Sequence, residues 1–156
     1  MGNNKFLKNC LLTAVLIIAM AAFLLITGCA RADEDSIIEI GERMFMTQIQ
    51  DIYLNANNFV GRTIRLEGIF NINRWNESFW YFVIRNGPDG CCGTPGQIGF
   101  EVRWPENRIE AFPENDSWVE ATGVLRTYRD GPNQFLYLEL TSLRVLNTRG
   151  LEFVER

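Results

Sequence analysis

The sequence predicts a mainly β protein, a five-stranded barrel with one amphipathic helix before it and a short helix between its third and fourth strands. Two observations support this prediction. Five runs of alternating or aromatic-rich residues follow one another between residues 63 and 146, which is the pattern of consecutive β-strands. Before them, from Glu42 to about Ala56, apolar residues recur at helical spacing.

The helix before the strands is the first element to justify. Its apolar stripe consists of Phe45, Ile49, Ile52, Tyr53 and Ala56. Gly41 is an acceptable N-cap, and the Asn57–Asn58 pair suits the exit from a helix. A stripe of this kind packs against a core. The preceding "IIEI" is a candidate short strand.

The five strand segments differ in how clearly they alternate. They are "TIRLEGIF", "FWYFVIR", "IGFEVRW", "WVEATGVLRTY" and "FLYLELTSLRVL". The second is dense in aromatic and β-branched residues, which indicates a strand covered on both faces. Asp-Gly and Gly-Pro in "RDGPNQ" predict a turn between the last two strands. "PENRIEAF" predicts a short helical turn with Pro105 at its first position.

This order of elements matches an OB-like barrel, a five-stranded Greek-key barrel. An SH3-like barrel or a β-sandwich fits less well, because neither explains the helix between the third and fourth strands. Gly68 and Gly123 lie inside strand patterns. Glycines at such positions mark bulges or sharp bends where a small barrel closes.

The N-terminus predicts the compartment. Lys5 and Lys8 precede the uninterrupted apolar run from Leu11 to Ile26, which is followed by Thr27, Gly28 and Cys29. This pattern is typical of a secretory signal, and its end is similar to a bacterial lipobox. We therefore expect a lipoprotein signal peptide at 1–28, a lipid on Cys29, a tether at 29–36 and one domain at 37–156. An uncleaved anchor helix is the alternative, although the run is short for a membrane span.

The charge of the mature chain argues against nucleic acid as a partner. The signal contains two of the 15 basic residues and none of the 19 acidic ones, which leaves 13 basic residues and a net charge of −6. Phosphate contacts need clustered Lys and Arg. The expected location is the extracytoplasmic side of a bacterial cell membrane, with the lipid as the membrane contact.

Cys91 and Cys92 are adjacent, and three interpretations stay open. As soft thiolates they could bind Zn²⁺ or Cu⁺ with Asp89 or a partner chain completing the site. They could form a vicinal disulfide, which needs a distorted turn because adjacent Cα atoms are only about 3.8 Å apart. They could also stay reduced and pack as small side chains in the loop between the second and third strands.

Two tryptophans are candidates for a ligand groove on the barrel. Trp75 has Asn and Arg neighbours in "NINRWNESFW", and Trp104 ends the third strand. Trp80 has only apolar neighbours, so we expect it to pack in the core or at the rim. The chain contains no histidine, which excludes Ser-His and Cys-His pairs and predicts a protein that is not an enzyme.

The run from Ile37 to Val154 resembles the C-terminal domain of bacterial permease-subunit proteins of unknown function. The matching segments are "IQDIYLNANNFVGRTIRLEG", the adjacent cysteines, a Pro and Gly before "IGFEV", "WVEATGVL" and the last strand. The chain departs from the family at Gly93 and Thr94, where an acidic residue is usual. The resemblance implies an OB-like fold and association with a membrane transport system.

These observations together predict a non-catalytic, membrane-anchored binding or interaction module without a cofactor. A permease or another envelope protein is its expected partner. The alternative is a thiol-based redox or metal-binding factor that acts through Cys91 and Cys92 with Zn or Cu.

Overall fold

The computed structural model describes residues 36–89, 95–108 and 110–154. The chain forms six strands and one α-helix in this region. In order they are β1 (Ile38–Ile40), α1 (Phe45–Leu54), β2 (Thr63–Trp75), β3 (Ser78–Asp89), β4 (Pro95–Arg103), β5 (Trp118–Asp130) and β6 (Asn133–Val145). A 3-10 turn at Glu42–Met44 precedes α1, and another at Ala56–Asn58 follows it.

Five of the strands close into a barrel in the order β2-β3-β4-β6-β5, with β5 returning to β2. The long strand β2 makes this closure possible, because its first half pairs with β5 and its second half pairs with β3. β4 and β6 run parallel, while the other barrel pairs are antiparallel. The mainly β, OB-like barrel is therefore confirmed.

The additional strand β1 lies outside the barrel. It pairs in parallel with the first half of β2, where Ile38 is opposite Ile64 and Ile40 is opposite Leu66. This confirms the candidate strand in "IIEI". Among the residues described, no helix has the length and apolar character to cross a membrane.

The alternation of the strands puts one continuous apolar cluster inside the barrel. Its members include Leu66, Phe70, Val83, Phe100, Val102, Leu125 and Leu138. The predicted helical stripe is confirmed in part, since Phe45, Ile49 and Ile52 are buried in the same cluster while Tyr53 is 47% exposed. Each fully buried side chain of this size contributes about 1.5–3 kcal/mol.

At Gly68 and Gly123 the backbone of a neighbouring strand comes too close for a side chain. A Cβ at Gly68 would lie 2.6 Å from the Ile84 carbonyl oxygen, and one at Gly123 would lie 2.7 Å from the Glu139 oxygen. The β5–β6 register shifts between Thr122 and Gly123. A β-bulge at this position bends the strand as the barrel closes.

The short helix predicted between the third and fourth barrel strands is wrong. In the described residues between β4 and β5, Arg108 N donates to Pro105 O at 2.9 Å, which closes only a single turn. Tertiary contacts explain the difference. The centroid of the Phe112 ring lies 3.9 Å from that of Tyr81 and 5.5 Å from that of Phe70. This packing holds the segment in an irregular conformation instead of a helix.

A buried arginine joins the two ends of the domain. Arg85 on β3 is 1% exposed. Its guanidinium donates to Glu67 O at 2.8 Å and to Leu151 O at 3.1 Å, and it lies 3.6 Å from the Glu42 carboxylate. Burial lowers the pKa of Arg85, while the charges of Glu42 and Glu67 act in the opposite direction.

Candidate functional site

Among the described residues, a cleft on the outer face of the barrel has a volume of about 820 Å³. The end of α1 and the following 3-10 turn line one part of it, and the β5–β6 hairpin lines another. Side chains of β3 and β4 also line it, including Trp80 and Glu101. A concave site of this size, lined by aromatic rings and a few polar groups, is typical of small-molecule recognition.

Glu101 is the buried carboxylate of this cleft. The alternation of β4 places Phe100 and Val102 in the core and Glu101 on the opposite face of the strand. Glu101 is only 6% exposed. The Tyr128 hydroxyl donates to its Oε2 at 2.9 Å, and Arg103 Nε donates to its Oε1. Both carboxylate oxygens are thus engaged.

Arg103 occupies a cage of three aromatic rings. Its guanidinium carbon lies 4.1 Å from the centroid of Tyr128, 4.8 Å from Tyr137 and 5.5 Å from Trp80. Cations positioned over aromatic faces at these distances are attracted to the rings. Burial lowers the pKa of Arg103, but the hydrogen bond and charge of Glu101 outweigh it, so this pKa is raised.

Two tyrosines of the cleft are fixed by hydrogen bonds from their hydroxyl groups. The Tyr53 ring stacks 5.4 Å from Phe100, and its hydroxyl donates to Gly99 O at 2.9 Å. Burial and the nearby Glu101 charge raise the pKa of Tyr53 to about 12. Burial and the hydrogen bond to Glu101 raise the pKa of Tyr128 to about 12 as well. Both phenols therefore stay neutral donors over the ordinary pH range.

Exposed polar side chains complete the lining. Asn57 and Asn58 come from the 3-10 turn after α1, and Asp130 and Gln134 come from the β5–β6 hairpin. The hairpin turns at Gly131, whose φ of 58° favours glycine. The predicted turn in "RDGPNQ" is therefore confirmed, and it brings one set of polar groups to the cleft.

A second cleft of about 500 Å³ adjoins the first. Trp80 and Glu101 line both clefts, and Trp104 and Arg108 line the second alone. The Arg108 guanidinium carbon lies 4.6 Å from the Trp104 ring. The indole nitrogen of Trp104 is buried and has no hydrogen-bond partner in the described part of the chain.

Comparison with known protein families finds a match over most of the chain. The family model described as the DUF1980 C-terminal domain matches residues 27–151, a range that includes every strand described above. The chain belongs to this family. No curated protein matches it. The predicted membership in a domain family of unknown function is confirmed.

In this DUF1980 C-terminal domain, the structure separates the two predicted groove residues. Trp104 lines the second cleft. Trp75 is 75% exposed at the end of β2 and lines neither cleft. Trp80, expected in the core or at the rim, does not lie in the core: this half-buried side chain lines both clefts on the outer face.

The sequence contains a signal for Trp80 that the prediction missed. β3 alternates, with Tyr81 and Val83 contacting the core, so Trp80 and Phe82 belong to the other face. Phe82 pairs directly with Glu101 across β3 and β4. Because "FWYFVIR" contains only one polar residue, its alternation is hidden when the sequence is read by hydropathy alone.

The predicted cysteine sites of the DUF1980 domain lie outside the described residues. These sites are Cys29, Cys91 and Cys92; Asp89 is the last residue of β3, and its side chain is also outside the described part. Within the described ranges, no group of three or more acidic, cysteine or histidine side chains could hold a metal ion. The redox and metal interpretations stay predictions.

Proposed function

We propose that this DUF1980 domain is a non-catalytic, extracytoplasmic binding module that receives its ligand in the cleft beside Glu101. The observation that supports this most is the composition of the cleft. Aromatic rings, exposed amides and an internally neutralised carboxylate surround about 820 Å³ on one face of a rigid barrel. Sites built on strands are held more precisely than sites built on loops.

The state of Glu101 supports binding rather than catalysis. A carboxylate that acts as a general base or nucleophile needs an oxygen within reach of the reacting atom. Both oxygens of Glu101 accept hydrogen bonds from its own chain, one from Tyr128 and one from Arg103. We therefore propose that Glu101 fixes the positions of Tyr128 and Arg103 around the cleft.

The proposed anchor is the lipid on Cys29. From Cys29 to the start of β1 at Ile38 the chain has nine steps, which span roughly 30 Å at most when fully extended. A barrel on such a tether would remain close to the membrane surface. This position suits a module that passes a ligand to a membrane transport system, and we propose a permease or another envelope protein as its partner.

Hydroxyl-radical footprinting tests whether the cleft is the binding face. The full chain is oxidised in isolated membranes with and without soluble envelope extract. We expect the extract to protect Trp80, Tyr128 and Phe135, which line the cleft, and to leave Trp75 as reactive as before. Trp75 is a matched internal control, because it is an exposed aromatic residue outside the cleft. Protection at Trp75 without protection at Trp80 would contradict the proposal.

A further inference from the structure

The two clefts adjoin on the surface of the barrel, and we call them together the groove. They share Trp80 and Glu101, so the groove runs from the end of α1 past these residues to the connection that follows β4. Their volumes are about 820 Å³ and 500 Å³. Two adjoining volumes suit a ligand built of linked units.

The charges along the groove disfavour an anionic ligand. Among the described residues that line it, the basic side chains are Arg103 and Arg108. Arg103 is bound to Glu101, and Arg108 is bound to Glu110 and donates to Thr141 O at 2.8 Å. A phosphate or carboxylate would have to compete with these internal partners.

The aromatic cage disfavours a cationic ligand as well. Three rings surround one position that a quaternary ammonium or a lysine could fill. The guanidinium of Arg103 already fills it, 4.1 Å from the Tyr128 centroid. An external cation would have to displace an arginine that is also hydrogen-bonded to a buried carboxylate.

The remaining lining, in which the exposed carboxylates of Asp130 and Glu106 accompany amides and rings, fits hydroxyl groups and apolar ring faces. Phe135 is 40% exposed and stacks 5.3 Å from Tyr128, and Trp80 is half-buried. The exposed amides of Asn58 and Gln134 each offer two donors and an acceptor. Sugar rings present C–H faces to aromatic side chains and hydroxyls to amides, and OB-like barrels are a known scaffold for oligosaccharides.

We propose that the groove binds a linear, uncharged oligosaccharide. Successive sugar units stack on Phe135 and Trp80, and the amides beside α1 and in the β5–β6 hairpin bind the hydroxyls. This inference rests on the proposed binding function of the cleft and assigns the class of its ligand. Stacking on two separate rings requires linked units, so the affinity rises with the length of the oligosaccharide.

Calorimetric titration of the full chain in detergent micelles tests this assignment. The probes are cellotetraose, tetra-N-acetylchitotetraose and maltotetraose, with their monomers and an anionic tetragalacturonate for comparison. We expect at least one uncharged tetrasaccharide to bind with a Kd of about 1 mM or tighter, at least tenfold more tightly than its monomer and than the tetragalacturonate. Trp80→Ala and Phe135→Ala should each weaken binding about tenfold, whereas Trp75→Ala should leave the Kd unchanged.

The possible outcomes test the class of ligand and the location of the binding site separately. Absence of binding by all three uncharged tetrasaccharides would overturn the assignment, as would equal binding by monomer and tetramer. Radical protection at Trp80 without oligosaccharide binding would keep the cleft as the site and reject only the sugar. Loss of binding in Trp75→Ala, with Trp80→Ala unaffected, would reject the groove itself. Circular dichroism of each variant shows whether a loss of binding reflects unfolding, and Phe135→Ala, which alters an exposed ring, provides a second independent test.

Discussion

The buried charge of Glu101, on the outer face of the barrel, is stabilised by a few neighbouring side chains. An unpaired buried carboxylate is costly, and breaking a buried ion pair destabilises a protein by about 3–5 kcal/mol. Glu101 avoids this cost through Arg103 and Tyr128, and three aromatic rings reduce the exposure of Arg103. The hydrogen-bonded trio therefore depends on the protonation of Tyr128 as well as on the ion pair.

This dependence predicts a loss of stability at high pH. The pKa of Tyr53 and that of Tyr128 are both raised from 10.0 to about 12. Between these values the unfolded tyrosines lose their protons while the folded ones keep them, so the unfolded state binds fewer protons. The free energy of unfolding should therefore be unaffected by these groups below pH 10 and should fall as the pH rises to about 12.

Urea denaturation across this pH window measures the effect. Tyr128→Phe should show a shallower fall than the wild type, because it has lost one of the two groups that titrate differently in the two states. Thr127→Ala, an exposed neighbour on β5, should keep the wild-type slope. An identical slope in Tyr128→Phe and the wild type would show that Tyr128 does not ionise on unfolding in this range.

At the scale of elements, the sequence predicts the strands better than it predicts their ends. Alternation and, for the second strand, aromatic density locate all five barrel strands, but β2 continues to Trp75, five residues beyond the predicted end. The added residues include Asn71, Asn73 and Arg74, whose polarity conceals the strand. Pairing with β3 sustains this half of β2, and the Asn115 side chain accepts a hydrogen bond from Ile72 N at 2.8 Å.

The errors in the prediction share one physical cause. Local signals at Pro105 favour a helix, and apolar neighbours at Trp80 favour burial, yet contacts distant in sequence decide both. Phe112 packs on Tyr81, and Trp80 contacts Arg103 on the next strand. The cleft itself could not be predicted, because its walls come from α1 and the β5–β6 hairpin, which only the closed barrel brings together.

Close packing between β3 and β4 gives a prediction at the same scale. A Cβ on Gly99 would lie 2.8 Å from Ile84 Cα and closer still to the Val83 carbonyl oxygen. Because both neighbours are backbone atoms of a core strand, Gly99→Ala should destabilise the barrel by at least about 1–3 kcal/mol, the range for overpacking.

Gly41→Ala is the matched control for this substitution. Its φ of −79° is accessible to alanine, and a Cβ there would meet nothing within 4 Å. Thermal unfolding should show a lower Tm for Gly99→Ala and a Tm close to that of the wild type for Gly41→Ala. Equal melting temperatures in all three proteins would mean that β3 can move away from β4 without cost.

At the scale of the whole molecule, the barrel and the proposed anchor concern different parts of the chain. The match extends from residue 27 to residue 151, and the barrel occupies most of that range. The lipid proposed on Cys29 would attach at the N-terminal end of the match and leave every barrel strand unmodified. Anchoring and folding should therefore be separable by mutation.

Cys29→Ala tests that separation. We expect the variant to lose metabolic labelling with a fatty-acid analogue and to appear as an unprocessed precursor or a released product. The barrel should keep its Tm, because residue 29 precedes β1. Cys10→Ala, which alters a cysteine within the predicted signal peptide, should keep wild-type labelling. A lipid-labelled Cys29→Ala protein would show that the lipobox assignment is wrong.

During folding, the groove forms only when β2 pairs with β5 and closes the barrel. The β2–β3 and β5–β6 hairpins form between neighbouring segments, on a timescale of about 1–10 μs. Ile64 and Gly123 pair across about 60 positions, and non-local pairings of this kind slow the folding of small barrels to milliseconds or longer. A chain in which only the hairpins have formed still lacks one wall of the groove.

A ligand in the groove would consequently bind only the fully closed barrel. Its binding would add RT ln(1 + [L]/Kd) to the global free energy of unfolding. Amide hydrogen exchange would then slow throughout the barrel strands, including positions in β2 and β5 that no ligand atom touches.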